Sequence, residues 1–405
     1  MLKDEVIQTI KETAPLLRLK VIEVIKHFYH LLFTSNPELT PLFNSTNQMK
    51  GKQPLALAQA VYSYAAHIDN PQILSEKLKS IANKHFALGI KAEYYPIVGK
   101  NLLQALKDVL HITEEQIRAW SLAYGVLTDI FIKMEDELYK NSANKSGGWE
   151  DFRTFVLVEK KKESNVITSF YLKPKDGKAI ADFIPGQYIT LKMNLPNGNI
   201  IYRHYTLSNA PNGKLYRISV KREEAPTGLL STPAGIASTY LHDHYEKDME
   251  FALRPPAGCF QLRADYSKPV VLLSAGVGLT PMISMLNSLV VNNKNVLPVY
   301  YVHAAINSET HAFSEHVEEL NKQYSNLHTS VSYSAPLKND FESNKCNNVG
   351  FITKSLLTKI LPHKDCNYYF CGPEAFMKNI RSILTNWDVA ESQIHYESFG
   401  PQLNL

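Results

Sequence analysis

The chain has 405 residues, 44% of them apolar and 20% charged, which supplies enough apolar surface for several cores and excludes a disordered chain. At typical domain sizes that length corresponds to roughly two to three domains. The net charge is only +4 and the basic residues are scattered rather than blocked, so no nucleic-acid partner is expected.

Four cysteines, Cys259, Cys346, Cys366 and Cys371, form no CxxC pair, and the opening MLKDEVIQTI lacks the basic and apolar regions of a leader. Both features point to a reducing cytoplasm. The most apolar window, Pro269-Val-Val-Leu-Leu-Ser-Ala275, falls far short of the roughly 18–20 residues that a membrane span needs, so no transmembrane segment is expected.

Residues 1–140 carry helical periodicity, broken at Asn36-Pro37, Thr40-Pro41 and Asn70-Pro71, with a helix-start signature at His111-Ile-Thr-Glu-Glu115. Small, polar and Gly-rich residues over 141–150 then read as a linker. Over 151–262 the chain changes to short β-rich runs, at 152–158, 167–172, 187–193 and 215–220, separated by Asp-Gly, Asn-Gly and Pro-Gly turns. That texture predicts an antiparallel barrel. From 263 to 405 apolar strands, glycine turns and helices alternate, the pattern of a doubly wound parallel sheet.

Three sets of residues carry chemistry. In the helical part, His85 lies between one helix and the next at 91–98, Tyr29 and Phe43 precede it, and Gln53, Leu57 and Val61 share one face at i, i+4 and i+8. A lone histidine on a helix is more often a surface or core residue than a ligand. Its company here suggests a globin, whose helices face each other across haem. In the barrel, Arg203-His204-Tyr205-Thr206 offers a cation for a diphosphate, an aromatic face for a flavin ring and a hydroxyl for its edge. In the last part, Ser274-Ala275-Gly276-Val277-Gly278-Leu279-Thr280-Pro281 joins an apolar strand to a helix, where glycines let a pyrophosphate approach the backbone. A glycine turn of that kind also serves plain packing, and it gains meaning from Cys371-Gly372-Pro373 downstream.

In this order the sets resemble the flavohaemoglobins over the whole chain, with the RxY(S/T) and CGP motifs of ferredoxin-reductase-like flavoproteins. The resemblance implies a multidomain protein: an all-α globin domain, an antiparallel β-barrel FAD-binding domain and an α/β doubly wound NAD(P)-binding domain. It implies haem b iron held by His85, whose second ring nitrogen is given to Glu135, itself bonded by Tyr95. Tyr29 and Gln53 are then distal donors to oxygen, and Phe43, Leu57 and Val61 line the haem pocket. FAD falls to Tyr188, Arg203, His204, Tyr205, Thr206, Lys221, Glu223, Gly235, Ala237, Ser238 and Thr239, with the tail Ser398, Phe399, Gly400 and Pro401 over the flavin face. Ser398 stands where relatives often carry cysteine, and the 225–234 segment looks like an insertion relative to shorter relatives. NADH or NADPH falls to residues 274–280, namely Ser274, Ala275, Gly276, Val277, Gly278, Leu279 and Thr280, and to Cys371, Gly372 and Pro373. Lys84 and Glu397 are implied to tune electron transfer.

The activity implied is nitric oxide dioxygenation, in which electrons pass from NAD(P)H through FAD to haem and NO with O₂ becomes nitrate, a detoxification. Two other readings stay open: an oxygen carrier or sensor with a maintenance reductase, and a general reductase of ferric iron, quinones or lipid hydroperoxides. Leu57 and Val61 leave an apolar space suited to a lipid chain. A monomer is expected, since the electron path is complete within one chain.

Overall fold

The computed structural model describes residues 2–43, 51–225, 234–263, 267–291, 297–342 and 345–400. Two compact units divide the chain, one built mainly on residues up to Asn144 and the other on residues from Lys145 onward.

The first unit is helical: α1 (Asp4–Ser35), α2 (Lys52–Ala66), α3 (Ser75–Leu88), α4 (Tyr94–Leu110) and α5 (Glu114–Asn144). The predicted breaks fall where prolines remove backbone donors, at Asn36-Pro37 after α1 and Asn70-Pro71 before α3. Gly89 ends α3 in the left-handed region at φ 76°, where a side chain would be strained. At the start of α5 a capping box closes, with Gln116 N–H donating to Thr113 Oγ1 at 3.2 Å and Thr113 N–H to Gln116 Oε1 at 2.9 Å. α5 runs to Asn144, four residues into the stretch whose composition reads as linker, because no Gly or Pro interrupts it before Gly147. Apolar faces of α1, α2, α4 and α5 close over one core containing Leu17, Phe28, Leu106 and Trp120.

The second unit begins with a six-stranded sheet of β1 (Arg153–Lys162), β2 (Ile167–Pro174), β3 (Tyr188–Asn194), β4 (Ile200–Thr206), β5 (Tyr216–Lys221) and β6 (Glu250–Leu253), in the order β4-β3-β6-β1-β2-β5. β1 pairs antiparallel with β2 and β6, and β2 with β5. An antiparallel bridge from Leu207 to Ile218 links the end of β4 to β5 and joins the two sheet edges. Three of the strands lie within a residue or two of the runs read from sequence, β1 extends four residues past its run, and the Arg203 motif lies inside β4. The short helix α6 (Ile236–His244) follows, and residues 226–233 of the expected insertion lie outside the described residues.

Beyond the barrel, β7 (Val270–Ala275), β8 (Val299–Ala305), β9 (Leu327–Tyr333), β10 (Asn348–Val349), β11 (Asn367–Cys371) and β12 (Ile394–Glu397) form a parallel sheet in the order β10-β9-β8-β7-β11-β12. Helices α7 (Leu279–Val290), α8 (Ser314–Gln323), α9 (Lys338–Glu342), α10 (Lys354–Ile360) and α11 (Glu374–Thr385) lie between the strands in sequence. Separate apolar clusters, one with Leu286 and Val317 and one with Leu357 and Ile380, cover the sheet. The strand order reverses between β7 and β11, the switch point at which open α/β sheets leave a crevice for ligands.

Candidate functional sites

In the helical unit, His85 sits in the last turn of α3, half-buried, and its Nδ1 lies 2.8 Å from Glu135 Oε1 on α5 and 3.0 Å from the Tyr95 hydroxyl on α4. Tyr95 donates to the same Glu135 oxygen at 2.5 Å. A carboxylate only accepts, so the hydrogen between His85 and Glu135 is donated by Nδ1, which leaves Nε2 as the ring nitrogen available to a ligand. Glu135 is 2% exposed, and burial together with its hydrogen bond to Glu135 pushes the Tyr95 hydroxyl well above the usual tyrosine range. Tyr95 therefore stays a proton donor, and the imidazole is fixed in one tautomer and one orientation.

Sequence reasoning missed the residues that fix Tyr95 in turn. Tyr124 on α5 donates its hydroxyl to the Tyr95 carbonyl at 2.7 Å, and Phe131 packs its ring 5.4 Å from His85. The signal was present, since Tyr124, Phe131 and Glu135 are spaced by seven and four and so share one helix face. α4 approaches α5 closely there because Gly99 has no side chain, and a Cβ at Gly99 would lie 2.4 Å from the Tyr124 ring. Gly99→Ala is expected to destabilise the helical unit. Overpacking of roughly 1–3 kcal/mol outweighs alanine's gain in helix propensity of about 1 kcal/mol, and a lowered urea midpoint of the helical signal checks this.

On the other side of the unit, Tyr29 is buried on α1 and makes edge contact with Phe43, ring centroids 5.6 Å apart. Phe43, Leu57 and Val61 are partly buried against the same core. Gln53 heads α2, and its Oε1 is buried with no hydrogen-bond partner among the described residues. An orphaned amide oxygen among apolar side chains is costly unless a polar ligand reaches it. An imidazole oriented by a buried carboxylate, an aromatic wall and a buried amide in one apolar helical unit fit a haem pocket. Lys84 precedes His85 on α3 and is half-buried.

In the barrel, Tyr188 opens β3 with its ring against Gly258, where a Cβ would meet it at 2.8 Å. The His204 ring lies 4.9 Å from Tyr188, and His204 Nδ1 is 2.8 Å from Thr190 Oγ1. Arg203 and Tyr205 alternate on β4, and burial lowers the guanidinium's affinity for its proton while raising that of the Tyr205 hydroxyl. Thr206 is buried at the strand's end. Glu223, ion-paired with Lys221 at 3.1 Å, meets the start of α6: Gly235 N–H donates to the Glu223 carbonyl at 2.7 Å, Glu223 N–H to Ser238 Oγ at 3.2 Å, and Thr239 Oγ1 to the Gly235 carbonyl at 2.9 Å. Gly235, the N-cap of α6, has no side chain to cap it, and the first amides of a helix suit an anion. A half-buried arginine, one buried and one half-buried tyrosine and the start of α6 fit a flavin dinucleotide.

At the switch point the two nicotinamide motifs come together. Gly276 adopts φ 53° with open space where its Cβ would be, whereas a Cβ on Gly278 would lie 2.2 Å from the Cys371 carbonyl oxygen. Gly372 packs in turn against Ala275, 3.2 Å from where its own Cβ would be. Val277 accepts from Thr280 Oγ1 at 3.1 Å, Leu279 is buried at the start of α7, and Pro373 caps α11. Ser274, fully buried, bonds His303 Nδ1 at 2.9 Å. Burial drives the Cys371 thiol well above its ordinary range, which makes it a neutral packing group beside the loop rather than a nucleophile.

Glu397 pairs in register with Cys371 on β12, and its charge raises both the Cys371 thiol and the Tyr188 hydroxyl. The flavin-side tyrosine and the nicotinamide-side cysteine thus share one acidic neighbour. Ser398 is half-buried, Phe399 and Gly400 are exposed, and Pro401 lies outside the described residues. The glycine-lined crevice at the reversal of strand order fits a dinucleotide.

Family models agree with this division: a globin model matches residues 26–131, an oxidoreductase FAD-binding domain 154–262, and an oxidoreductase NAD-binding domain 272–382. The chain is 48% identical over 406 residues to a flavohemoprotein of Bacillus thuringiensis, with 100% of both chains covered. It is 43% identical to one of Rhizobium meliloti, covering 100% of this chain and 99% of that one. Among solved structures, a flavohemoglobin of Malassezia yamatoensis with bound FAD and haem shares the fold at TM-score 0.85 and 23% identity, covering 98% of this chain and 100% of that one. The FAD/NAD-binding domain of a nitric oxide dioxygenase from Vibrio cholerae covers 62% of this chain and 100% of its own, with 38% identity and TM-score 0.55. Among the described residues no helix is long and apolar enough to cross a membrane. With a haem-binding globin domain followed by FAD-binding and NAD-binding domains along its whole length, the chain belongs to the flavohemoprotein family.

Proposed function

We propose that this chain is a nitric oxide dioxygenase that converts NO and O₂ to nitrate with electrons from NAD(P)H, and so detoxifies NO. Bound haem supplies the iron at which both gases react, and bound FAD divides a two-electron hydride into single electrons. The observation that carries the reading is the hydrogen bonding of His85 Nδ1 to buried Glu135, with Tyr95 on the same carboxylate oxygen. A histidine whose Nδ1–H is held by a carboxylate is more basic at Nε2, which favours activation of oxygen over its storage. That distinguishes this reading from a carrier or sensor. The Vibrio cholerae relative of the reductase half, named as part of a nitric oxide dioxygenase, supports the same activity.

Each remaining group has a task in this reading. Tyr29 and Gln53 donate hydrogen bonds on the distal side, and Phe43, Leu57 and Val61 exclude water from it. Tyr188, Arg203, His204, Tyr205 and Thr206 seat the flavin, and Lys221, Glu223, Gly235, Ala237, Ser238 and Thr239 hold its diphosphate, with the tail from Ser398 to Pro401 beside it. The 274–280 loop and Cys371, Gly372 and Pro373 present the nicotinamide, while Lys84 and Glu397 set charges along the electron route. The haem part runs to the end of α5 at Asn144, a linker follows over 145–150, the flavin part spans 151–262 and the nicotinamide part 263–405, in a monomer of the cytoplasm.

Tyr29→Phe tests the assignment. It removes one hydroxyl and is expected to slow NO consumption by roughly two- to tenfold, the equivalent of a neutral hydrogen bond of about 0.5–1.5 kcal/mol, while NADH-to-dye reduction stays unchanged. Unaltered NO consumption in the haem-loaded variant contradicts the distal role.

A further inference from the structure

Within the second unit, the barrel and the parallel sheet are joined by buried polar contacts that belong to neither the flavin motif nor the glycine loop. Past the end of strand β4 at Thr206 the chain runs through Leu207 and Ser208 to Asn209, whose carbonyl accepts a hydrogen bond from Ser284 Oγ at 2.7 Å. Ser284 is fully buried on α7, the helix that begins at the glycine loop. One side-chain bond therefore ties the end of the flavin-side strand to the helix behind the dinucleotide loop.

The Asn209 end of that bond is braced. Asn209 Oδ1 accepts from the Arg217 backbone N–H at 2.9 Å, and its Nδ2 donates to the carbonyls of Ala210 at 2.8 Å and Leu215 at 3.2 Å. Arg217 Nε donates to Ser208 Oγ at 3.0 Å, and the guanidinium lies 4.7 Å from the ring centroid of Phe313. Phe313 precedes α8 in the left-handed region at φ 62°, which bulky residues rarely adopt without surrounding structure to hold them there. A second link runs from Asn165 N–H in the barrel to the Glu309 carbonyl at 2.8 Å, four residues before Phe313. Interfaces between domains of one chain ordinarily permit relative motion. Here three specific contacts oppose it.

We propose that Ser284, Asn209 and Arg217 are positioning residues for hydride transfer, holding the glycine loop at a fixed distance from the flavin-bearing strand. In that step the C4–H bond of the dihydronicotinamide breaks and its hydride, a proton with two electrons, forms a new N–H bond on the flavin. NAD(P)H is oxidised, the flavin is reduced by two electrons, and solvent supplies any further proton. Transfer rates are steep in distance, since a displacement of about 1 Å lowers them by about a hundredfold. The inference rests on the proposed hydride path from NAD(P)H to FAD and is independent of the fate of NO.

The test uses full-length protein loaded with haem and FAD, in Ser284→Ala, Ser284→Thr and Arg217→Met forms. Stopped-flow flavin reduction is measured at saturating NADH and with NADH deuterated at C4, alongside amide hydrogen exchange over 205–218 and 274–286 without nucleotide. Ser284→Ala and Arg217→Met are expected to lower the limiting reduction rate by about tenfold or more, to raise the deuterium isotope effect and to speed exchange in both segments. FAD content and NAD⁺ affinity should hold within about twofold, and Ser284→Thr, which keeps the hydroxyl, should restore the rate. The proposal is overturned if reduction and exchange are unchanged in Ser284→Ala, or if the rate falls only in step with lost FAD. Failure of NADH and NADPH to reduce the wild-type flavin would sink the hydride path itself, whereas a normal wild-type rate with unmoved variants sinks only the junction.

Discussion

Alanine at His85 is expected to give a folded protein that retains no haem absorbance and no NO consumption above background, yet reduces dyes with NADH at the wild-type rate. The imidazole is the group in the helical unit whose free nitrogen is aimed by a buried carboxylate, so its removal deletes the ligand together with the reason for Glu135 to be buried. Glu135 then keeps only the Tyr95 hydrogen bond and is expected to admit water where the imidazole stood, since a buried polar group that loses a partner is disfavoured. The barrel and the parallel sheet have cores of their own, around Phe170 and Leu272 among others. Their dye reduction should change by no more than about twofold, because distant sites without shared partners act additively. Loss of dye reduction from a folded, FAD-loaded His85→Ala protein would contradict this separation.

Gly278→Ala is expected to have an effect of similar size at the other end of the electron path. The added Cβ would stand 2.2 Å from the Cys371 carbonyl oxygen and 2.6 Å from the Gly372 amide nitrogen, and backbone cannot swing aside as a flexible side chain can. The glycine loop or the Cys371-Gly372 segment must therefore shift, and a displacement of about 1 Å lowers a positioned reaction by about a hundredfold. Flavin reduction by NADH is predicted to fall by that order, while chemical reduction of the flavin by dithionite and the haem spectrum remain unchanged. Gly276→Ala meets no atom but carries a side chain at φ 53°, so its smaller loss should come from backbone strain alone. Equal losses in the two variants would contradict the steric account.

The helices were legible because their boundaries are set locally, by Asn36-Pro37, Gly89 and the Thr113–Gln116 box. The glycine loop was legible because backbone approach demands glycine whatever surrounds it. Four barrel strands could be placed from their turn dipeptides, while the four-residue β6 is too short to show an alternation. The end of α5 was misjudged because Asn141-Ser-Ala-Asn144 is linker-like in composition yet contains nothing that stops a helix. Tyr124 and Ser284 stayed hidden for another reason. Their importance lies in contacts to Tyr95 and Asn209, 29 and 75 residues away in sequence, and no local pattern marks the partner of a long-range hydrogen bond. Phe313 likewise shows its strain only in the fold.

The most direct test of the central claim is a nitrate balance on the purified protein, loaded with haem and FAD, in air. NO loss is followed at an electrode during NADH addition, and nitrate is assayed at the end. One nitrate per NO consumed, with turnover that stops when NADH runs out, is the predicted result. Brisk NADH oxidation with slow NO loss and no nitrate would contradict it, and would make the chain an oxidase or general reductase.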